Sequence, residues 1–276
     1  MSTTPGQPTL KNKSIVIIGG TSGIGLSAAK AIITAGAHVV AVGRPDEHIS
    51  IATSTLGPNA KVIAAEATQS NTAPNAIQTA IEQYGDFNGL YHVAGGSGRS
   101  WGDGPLHTLP DEAWQKTLDL NLTSVFLSNR AAIQFWLDHK QPGVILNLSS
   151  VLATSPAPKH FTTHAYATAK AGIIGLTRSC AACYAPNLIR INAIAPGLVN
   201  TPMAQRAAQN PAIQHFIRTK QPLDRGRIAS PQDLDAAAVL LLSDAASFIT
   251  GQILQIDGGW SLSDGQLNPE TQPTTT

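Results

Sequence analysis

Short apolar runs alternate with longer amphipathic stretches along most of the chain. The runs are largely continuous in apolar residues, which is typical of parallel strands covered on both faces. They predict strands at 14–18, 38–42, 61–64, 89–93, 144–148, 189–194 and 253–256. The longer stretches predict helices at 24–35, 71–84, 111–139, 164–184 and 231–243. This alternation predicts an α/β fold in a single domain: a doubly wound (Rossmann) parallel sheet of about seven strands with helices on both faces.

Both ends of the chain lack a hydrophobic period. Residues 1–10 and 264–276 are rich in Thr, Pro and other polar residues, so we expect two disordered tails. The remaining residues, 11–263, contain no linker-like stretch and are expected to form one domain. Within it, the segment 200–225 is polar, and we expect it to be mobile and to lack a single charge that anchors a substrate.

Composition and charge exclude several classes of function. The 276 residues carry a formal net charge of +1, which argues against a nucleic-acid partner. No apolar run reaches the ~18 residues of a membrane span, and the first residues lack the apolar core of a signal peptide. Two cysteines fit a reducing compartment, and the scattered histidines complete no metal site. We therefore expect a soluble cytoplasmic protein without a metal site.

A glycine-rich turn follows the first predicted strand and leads directly into a helix. Glycine permits positive φ and a close approach of the backbone to a ligand, and a helix N-terminus presents free N–H groups to a phosphate. The turn predicts a dinucleotide pyrophosphate site, with a tight turn that binds nothing as the alternative. The residues concerned are Gly19, Thr21, Ser22, Gly23, Ile24 and Gly25.

Further motifs occur in a fixed order along the chain. They are Ala94-Gly95, Asn121, Leu146-Asn147-Leu148-Ser149-Ser150, Tyr166-x-x-x-Lys170, Pro196-Gly197-x-Val199-x-Thr201 and Asp257-Gly258-Gly259. Together with the glycine turn they resemble the short-chain dehydrogenase/reductase family over residues 13–260. Two departures are Ile18, where the family has Thr, and His92-Val93, where it has two Asn. The resemblance implies that NAD(P) contacts the turn residues and also Arg44, Glu66, Ala67, Ala94, Gly95, Tyr166, Lys170, Pro196, Gly197, Val199 and Thr201.

Tyr166 and Lys170 stand four residues apart on a predicted helix, so their side chains share a face. A nearby ammonium group favours the phenolate form of a tyrosine, and a serine hydroxyl can donate a hydrogen bond to a substrate oxygen. By resemblance, Tyr166 is the acid/base, Lys170 tunes it and holds the nicotinamide ribose, and Ser150 orients the substrate. Asn121 supports a water that links Lys170 to solvent.

Two insertions surround this predicted site. Ser150 and Tyr166 are 16 positions apart, where the family commonly has 13, which predicts a longer loop at the rim of the pocket. Ser149 and Ser155 remain alternatives to Ser150. The segment 97–107 contains Arg99, Trp101 and His107, and it either flanks the substrate or forms a flexible surface loop.

The resemblance predicts an NAD(P)-dependent oxidoreductase that interconverts a carbonyl and a secondary alcohol. A catalytically silent nucleotide-binding sensor or scaffold on the same fold is the alternative. In the family, an acid that binds the ribose of NAD occupies the position of Gly43, and Arg44 follows it here, so we expect NADP(H) to be favoured over NAD(H). Helices 111–139 and 164–184 carry apolar residues on more than one face, so they must bury more than the sheet covers. In the family these two helices form the dimer surfaces and the stretch 257–260 completes a tetramer, so the resemblance implies a homotetramer, with a homodimer as the alternative.

Overall fold

A computed structural model describes residues 8–266 of the chain. These residues contain one seven-stranded sheet in the order β3-β2-β1-β4-β5-β6-β7, and all of its strand pairs are parallel. The strands are β1 (Ser14–Ile18), β2 (His38–Gly43), β3 (Ala60–Ala64), β4 (Gly89–His92), β5 (Gly143–Leu148), β6 (Ile189–Pro196) and β7 (Ile253–Ile256). The predicted doubly wound parallel sheet is confirmed. Its strand order reverses between β1 and β4, where such sheets bind ligands.

Helices connect the strands and cover both faces of the sheet. They are α1 (Gly23–Thr34), α2 (His48–Leu56), α3 (Thr72–Tyr84), α4 (Asp111–Leu118), α5 (Ser124–His139), α6 (His164–Tyr184), α7 (Gln205–Ala208), α8 (Pro211–Lys220) and α9 (Asp235–Leu242). A 3-10 turn at Pro231–Leu234 precedes α9 and is capped by Ser230. No helix within residues 8–266 is long and apolar enough to cross a membrane.

The two faces of β1 belong to two separate hydrophobic cores. Ile15 and Ile17 pack in the core that contains residues of α1 and α9. Val16 and Ile18 pack in the core that contains residues of α3 and α5, including the fully buried Trp136. Successive side chains of a strand point to opposite faces, so a strand covered on both faces needs apolar residues at every position. This explains why the runs in the sequence are continuous.

The predicted helix 111–139 is interrupted. A π-helical turn, Asp119–Thr123, lies between α4 and α5 and contains the buried Asn121. Such turns insert one extra residue into a helix and are frequent at functional sites. Here the Asn121 side chain bonds to the backbone of Gly96, a contact that residue spacing alone does not reveal.

Two segments that are polar in the sequence contain packed residues. The segment 200–225 contains α7 and α8, and Ile213 and Ile217 of α8 are buried. The predicted N-terminal tail is wrong at Leu10, which is fully buried and whose N–H donates to the carbonyl of Ala35. A few apolar side chains suffice to pack a segment of low overall hydrophobicity. The rest of the predicted tails, 1–7 and 267–276, lies outside the described residues.

Helix α2 is not predicted by the sequence pattern. Its residues, HISIATSTL, are rich in β-branched and hydroxyl side chains, which have low helix propensity. Ala52 and Leu56 are buried on one side of this helix, so tertiary packing overrides the local preference. The helix forms part of the crossover from β2 to β3.

Candidate active site

The glycine-rich turn lies at the carboxyl end of β1, directly against the end of β4. Gly19 has a φ of +90°, and a side chain there would overlap the backbone of Ala94. A side chain at Gly25 would overlap the carbonyl oxygen of Gly19. Glycine is therefore required at both positions, by positive φ or by close approach of the backbone.

The start of α1 fits a phosphate group. Its N-cap residue, Ser22, forms no side-chain hydrogen bond to the first turn, and that turn contains no acidic residue. The N–H groups there remain available as donors at the positive end of the helix dipole. These residues thus fit the pyrophosphate of a dinucleotide.

The remaining residues of the predicted cofactor site lie along the same edge of the sheet. A Cβ at Gly23 would lie 3.3 Å from Thr201, so the turn meets the segment that follows β6. Glu66 and Ala67 lie after β3, and the Glu66 carbonyl accepts a hydrogen bond from Thr72 Oγ1 at 2.6 Å. Ala94 and Gly95 follow β4, while Pro196, Gly197 and Val199 lie at and after the end of β6.

The end of β2 differs from the rest of this edge. Gly43 has no side chain, and a Cβ there would overlap the side chain of Thr21. Arg44 follows it, with a side chain that is 71% exposed and a guanidinium nitrogen 3.5 Å from the Asp46 carboxylate. Thr21 therefore fills the space beside Gly43 at the end of β2, and Arg44 is the adjacent cation.

Tyr166 and Ser150 line one cavity, and Lys170 lies buried behind them. The Lys170 ammonium nitrogen is 5.6 Å from the centre of the Tyr166 ring and donates to the Leu148 carbonyl at 2.8 Å. Burial lowers the pKa of Lys170 to about 7. Burial raises the pKa of Tyr166, and a hydrogen bond from the Ser150 side chain opposes that rise. The three side chains thus form one group at the ends of β5 and α6.

The three candidate serines have different partners. Ser150 Oγ accepts a hydrogen bond from Leu152 N–H at 3.2 Å, which leaves its own hydrogen free to donate toward Tyr166. Ser149 Oγ instead donates to the backbone carbonyl of Lys170 at 2.8 Å. The backbone carbonyl of Ser155 accepts from Trp260 Nε1 at 3.2 Å, and Ser155 does not line the cavity. The geometry therefore favours Ser150 over the two alternatives.

Asn121 joins the π-helical turn to the loop after β4. Its amide nitrogen donates to the Gly96 carbonyl at 2.8 Å, and its amide oxygen accepts from Gly96 N–H at 3.0 Å. A Cβ at Gly95 would lie 2.7 Å from Asn121 Oδ1 and 3.3 Å from Lys170 Nζ. The Asn121 and Lys170 side chains therefore converge on Gly95.

His92 occupies one of the positions where the family has Asn. Its imidazole is fully enclosed, with Nδ1 2.7 Å from Ser128 Oγ and Nε2 3.2 Å from Ser124 Oγ. Burial, followed by the positive charge of Lys170, lowers the pKa of His92 to about 3. A neutral histidine held by two hydroxyl groups thus replaces the amide.

Asp103, which is 3% exposed, is not among the site residues predicted from the sequence. Its carboxylate accepts the backbone N–H groups of Ala165 and Tyr166, at 3.1 and 2.9 Å. These groups belong to the first turn of α6, where a carboxylate satisfies free donors and complements the helix dipole. The sequence signal was an Asp within an insertion, but its distance of more than 60 residues from α6 hid the partner.

The insertions both contribute to the cavity. Arg99, from the segment 97–107, lines it, whereas Trp101 and His107 are exposed and do not. Phe161 and Thr163, from the segment between Ser150 and Tyr166, line it as well. Arg206 of α7 also lines it, so the segment 200–225 contributes a positive charge to the cavity wall.

A doubly wound sheet with a glycine-rich turn after its first strand, and a cavity at the carboxyl ends of its strands, defines a dinucleotide-binding α/β protein. A family model described as enoyl-(acyl carrier protein) reductase matches residues 19–261. The chain belongs to the short-chain dehydrogenase/reductase family. It is an NAD(P)-dependent oxidoreductase, and the relatives with which it aligns over nearly its whole length are named as dehydrogenases.

Three of these relatives illustrate the range of substrates. The chain is 36% identical over 260 residues to 3beta-hydroxysteroid dehydrogenase 1 of Eggerthella lenta, covering 93% of this chain and 96% of that protein. It is 35% identical over 257 residues to 2-(S)-hydroxypropyl-CoM dehydrogenase 3 of Xanthobacter autotrophicus, covering 91% and 97%. The crystal structure of 3-ketoacyl-(acyl-carrier-protein) reductase from Brucella melitensis complexed with NADH gives a TM-score of 0.80 at 27% identity, covering 92% of this chain and all of that one.

Proposed function

We propose that this enzyme interconverts a carbonyl and a secondary alcohol, with Tyr166 as the proton donor and acceptor. The observation that carries the proposal is that Tyr166 and Ser150 line the same cavity, with the Lys170 ammonium nitrogen 5.6 Å from the centre of the Tyr166 ring. A bound nicotinamide cofactor supplies or accepts the hydride at the substrate carbon. The glycine turn, Thr201 and Lys170 are the residues that would hold this cofactor.

Each of the grouped side chains has a distinct task. In the direction of reduction, Tyr166 O–H donates its proton to the carbonyl oxygen as negative charge develops there. Ser150 O–H donates a second hydrogen bond to that oxygen and polarises the carbonyl. The phenolate that remains is stabilised by the positive charge of Lys170. The Ser150 side chain opposes the effect of burial on the pKa of Tyr166. Asn121 positions Gly95 and Gly96 beside Lys170 and supports a water that reaches solvent.

The proposed coenzyme is NADP(H) rather than NAD(H). Gly43 offers no carboxylate to the ribose, and the Thr21 side chain occupies the adjoining space. Arg44 is exposed at the end of β2 and can turn from Asp46 toward a 2′-phosphate, which a guanidinium binds through two hydrogen bonds. The Brucella relative is complexed with NADH, so NAD(H) is the alternative that coenzyme titrations must test.

The proposed assembly is a homotetramer. Phe126 and Leu137 of α5 remain exposed, at 44% and 39%, and Leu254 and Leu262 are exposed around β7. Two apolar surfaces in different places are consistent with two kinds of subunit contact. Light scattering is expected to give four times the mass of the chain, and a monomer at every concentration would contradict this proposal. The cytoplasmic location stays a prediction.

Replacing Tyr166 with Phe tests the proposed chemistry. The variant keeps the ring and loses the hydroxyl, so we expect kcat to fall by roughly 10²–10⁴-fold while the coenzyme Kd changes little. A carbonyl panel, followed by loss of nicotinamide absorbance, supplies the measurement. Full turnover by Tyr166→Phe would show that another group transfers the proton.

A further inference from the structure

The cavity beside Tyr166 contains two arginines from different parts of the chain. Arg99 lies in the 3-10 turn Arg99–Trp101 after β4, and Arg206 lies in α7, more than 100 residues later. Both line the same cavity as the hydroxyl groups of Ser150 and Tyr166. The fold thus brings two guanidinium groups and the proposed reaction centre into one cavity.

Their charges are not neutralised within that cavity. Among the described residues that line it, none has a carboxylate side chain. In the part of the chain that the structure describes, neither arginine forms an ion pair; Arg99 is attracted by Asp103, whose two oxygens already accept N–H groups of α6. Arg99 also donates to the His160 carbonyl at 3.4 Å, which holds its side chain in place.

The two like charges are close enough to affect each other. Burial lowers the pKa of Arg99, and the positive charge of Arg206 lowers it further. Two guanidinium groups that repel each other in a partly buried cavity leave an excess of positive charge and of N–H donors. An anion between them would remove the repulsion and accept charge-assisted hydrogen bonds from both.

The rest of the cavity wall is largely apolar. It includes Leu152, Phe161, Met203 and Trp260, and the ring of Trp260 packs edge-on against that of Phe161. Such a wall suits a compact hydrocarbon body, such as a ring or a branched chain. The cavity therefore offers three kinds of contact: hydroxyl groups for a reacting oxygen, apolar side chains for a body, and two guanidinium groups for an anion.

We propose that the substrate is a hydroxy or keto acid, whose carboxylate binds between Arg99 and Arg206 while its carbonyl or hydroxyl group faces Ser150 and Tyr166. The inference rests on the proposed function, because it takes the reacting end of the substrate from it. It adds the class of substrate and assigns the two arginines as its specificity-determining residues. An acid anchored in this way is held with its reacting carbon near the proposed proton donor.

The test compares two ketones of the same shape that differ in charge, 3-acetylbenzoate and 3-acetylbenzamide. Binding to the coenzyme-bound protein is measured by calorimetry, so no turnover is needed. We expect the acid to bind at least about tenfold more tightly than the amide, since hydrogen bonds from guanidinium groups to a carboxylate are stronger than those to a neutral amide. Arg99→Met and Arg206→Met are each expected to remove most of this preference.

Arg218→Met is the matched control. Arg218 lies on α8, is exposed and does not line the cavity, but its replacement changes the net charge by the same amount. It should keep the preference for the acid. Arg206 is exposed, so Arg206→Met is expected to fold even if the half-buried Arg99 contributes to stability.

Equal affinity of the wild-type protein for the acid and the amide would overturn the proposal. An equal loss of the preference for the acid in all three arginine variants would also overturn the proposal, because such a loss would reflect only the long-range effect of net charge. Turnover of both probes with NAD(P)H is measured in parallel. Reduction of the amide without a preference for the acid refutes this inference alone, whereas arginine-dependent binding of the acid without reduction of any ketone refutes the proposed function alone.

Discussion

The carboxylate of Asp103 accepts the backbone N–H of Tyr166 at 2.9 Å. This bond joins the loop after β4 to the first turn of α6, and the second carboxylate oxygen bonds to Ala165. The loop that contains Arg99 and the helix that contains the proposed proton donor are therefore held together at one buried point. Asp103 acts on the site through the position of Tyr166 and not by touching the substrate.

Asp103→Ala is expected to lower the free energy of unfolding by about 1–3 kcal/mol, because it leaves two buried N–H groups without acceptors. It should also lower kcat, since the start of α6 is no longer fixed. Urea denaturation and steady-state kinetics measure the two effects. Asp111→Ala, in the exposed first turn of α4, is the control and should change both much less. An Asp103→Ala protein as stable as the control variant would contradict the capping role.

The lowered pKa of the buried Lys170 predicts that the stability of the fold rises with pH. Its pKa is about 7 in the folded protein and ~10.4 in an unfolded chain, so between these values the unfolded state binds a proton that the folded state lacks. The free energy of unfolding should therefore increase from pH 7 to pH 9, by at most about 1.4 kcal/mol per pH unit. Below pH 7 this pH dependence fades, because Lys170 becomes protonated in the folded state as well.

The comparison for this prediction is Lys170→Met, which lacks the titrating group. Urea denaturation of the coenzyme-free protein at pH 7, 8 and 9 should give a smaller slope for the variant than for the wild type. Lys116→Met, at an exposed lysine paired with Glu112, should keep the wild-type slope. Identical slopes for the wild type and Lys170→Met would mean that Lys170 titrates normally in the fold.

Because Ser149, Ser150 and Ser155 have different partners, we expect their replacement by Ala to lower kcat to different extents. Ser150→Ala removes the donor beside Tyr166 and should lower kcat by roughly 10²-fold or more. Ser155→Ala should leave kcat nearly unchanged, because that side chain does not line the cavity. Ser149→Ala removes a buried bond to the Lys170 carbonyl and should mainly lower stability, by about 1 kcal/mol. A larger loss of kcat in Ser149→Ala or Ser155→Ala than in Ser150→Ala would reassign the serine.

The position of Arg44 at the end of β2 leads us to expect that NADP(H) binds more tightly than NAD(H). Arg44→Ala should weaken NADPH binding by roughly 10–100-fold, through loss of charge-assisted hydrogen bonds, and leave NADH binding nearly unchanged. Fluorescence titrations with both coenzymes measure this, and Arg178→Ala, at an exposed position of α6, is the matched control. Tighter binding of NADH than of NADPH by the wild type would refute the NADP(H) preference at once.

The sequence by itself determined the sheet and the position of its chemistry. A strand buried on both faces is apolar at nearly every position, so runs such as Ser14–Ile18 can be recognised as buried strands in the sequence. The spacing of Tyr166 and Lys170 places them on one side of a helix whatever surrounds it. The glycines at 19 and 25 belong to a motif that can be recognised in the sequence, although the close approach of Gly19 to the backbone of Ala94 is made only in the fold.

Only the tertiary structure decided which distant residues meet. The α2 segment has low helix propensity and becomes helical by packing Ala52 and Leu56. Leu10 is isolated in a polar segment, yet it is buried against the sheet domain. Asp103 caps a helix more than 60 residues away, and Arg99 and Arg206 share a cavity although they are more than 100 residues apart. Such pairings depend on the path of the chain through space, and the period of a segment describes only its own neighbours. For that reason the sequence predicted the reaction class, whereas the selection among substrates rests on contacts that the fold creates.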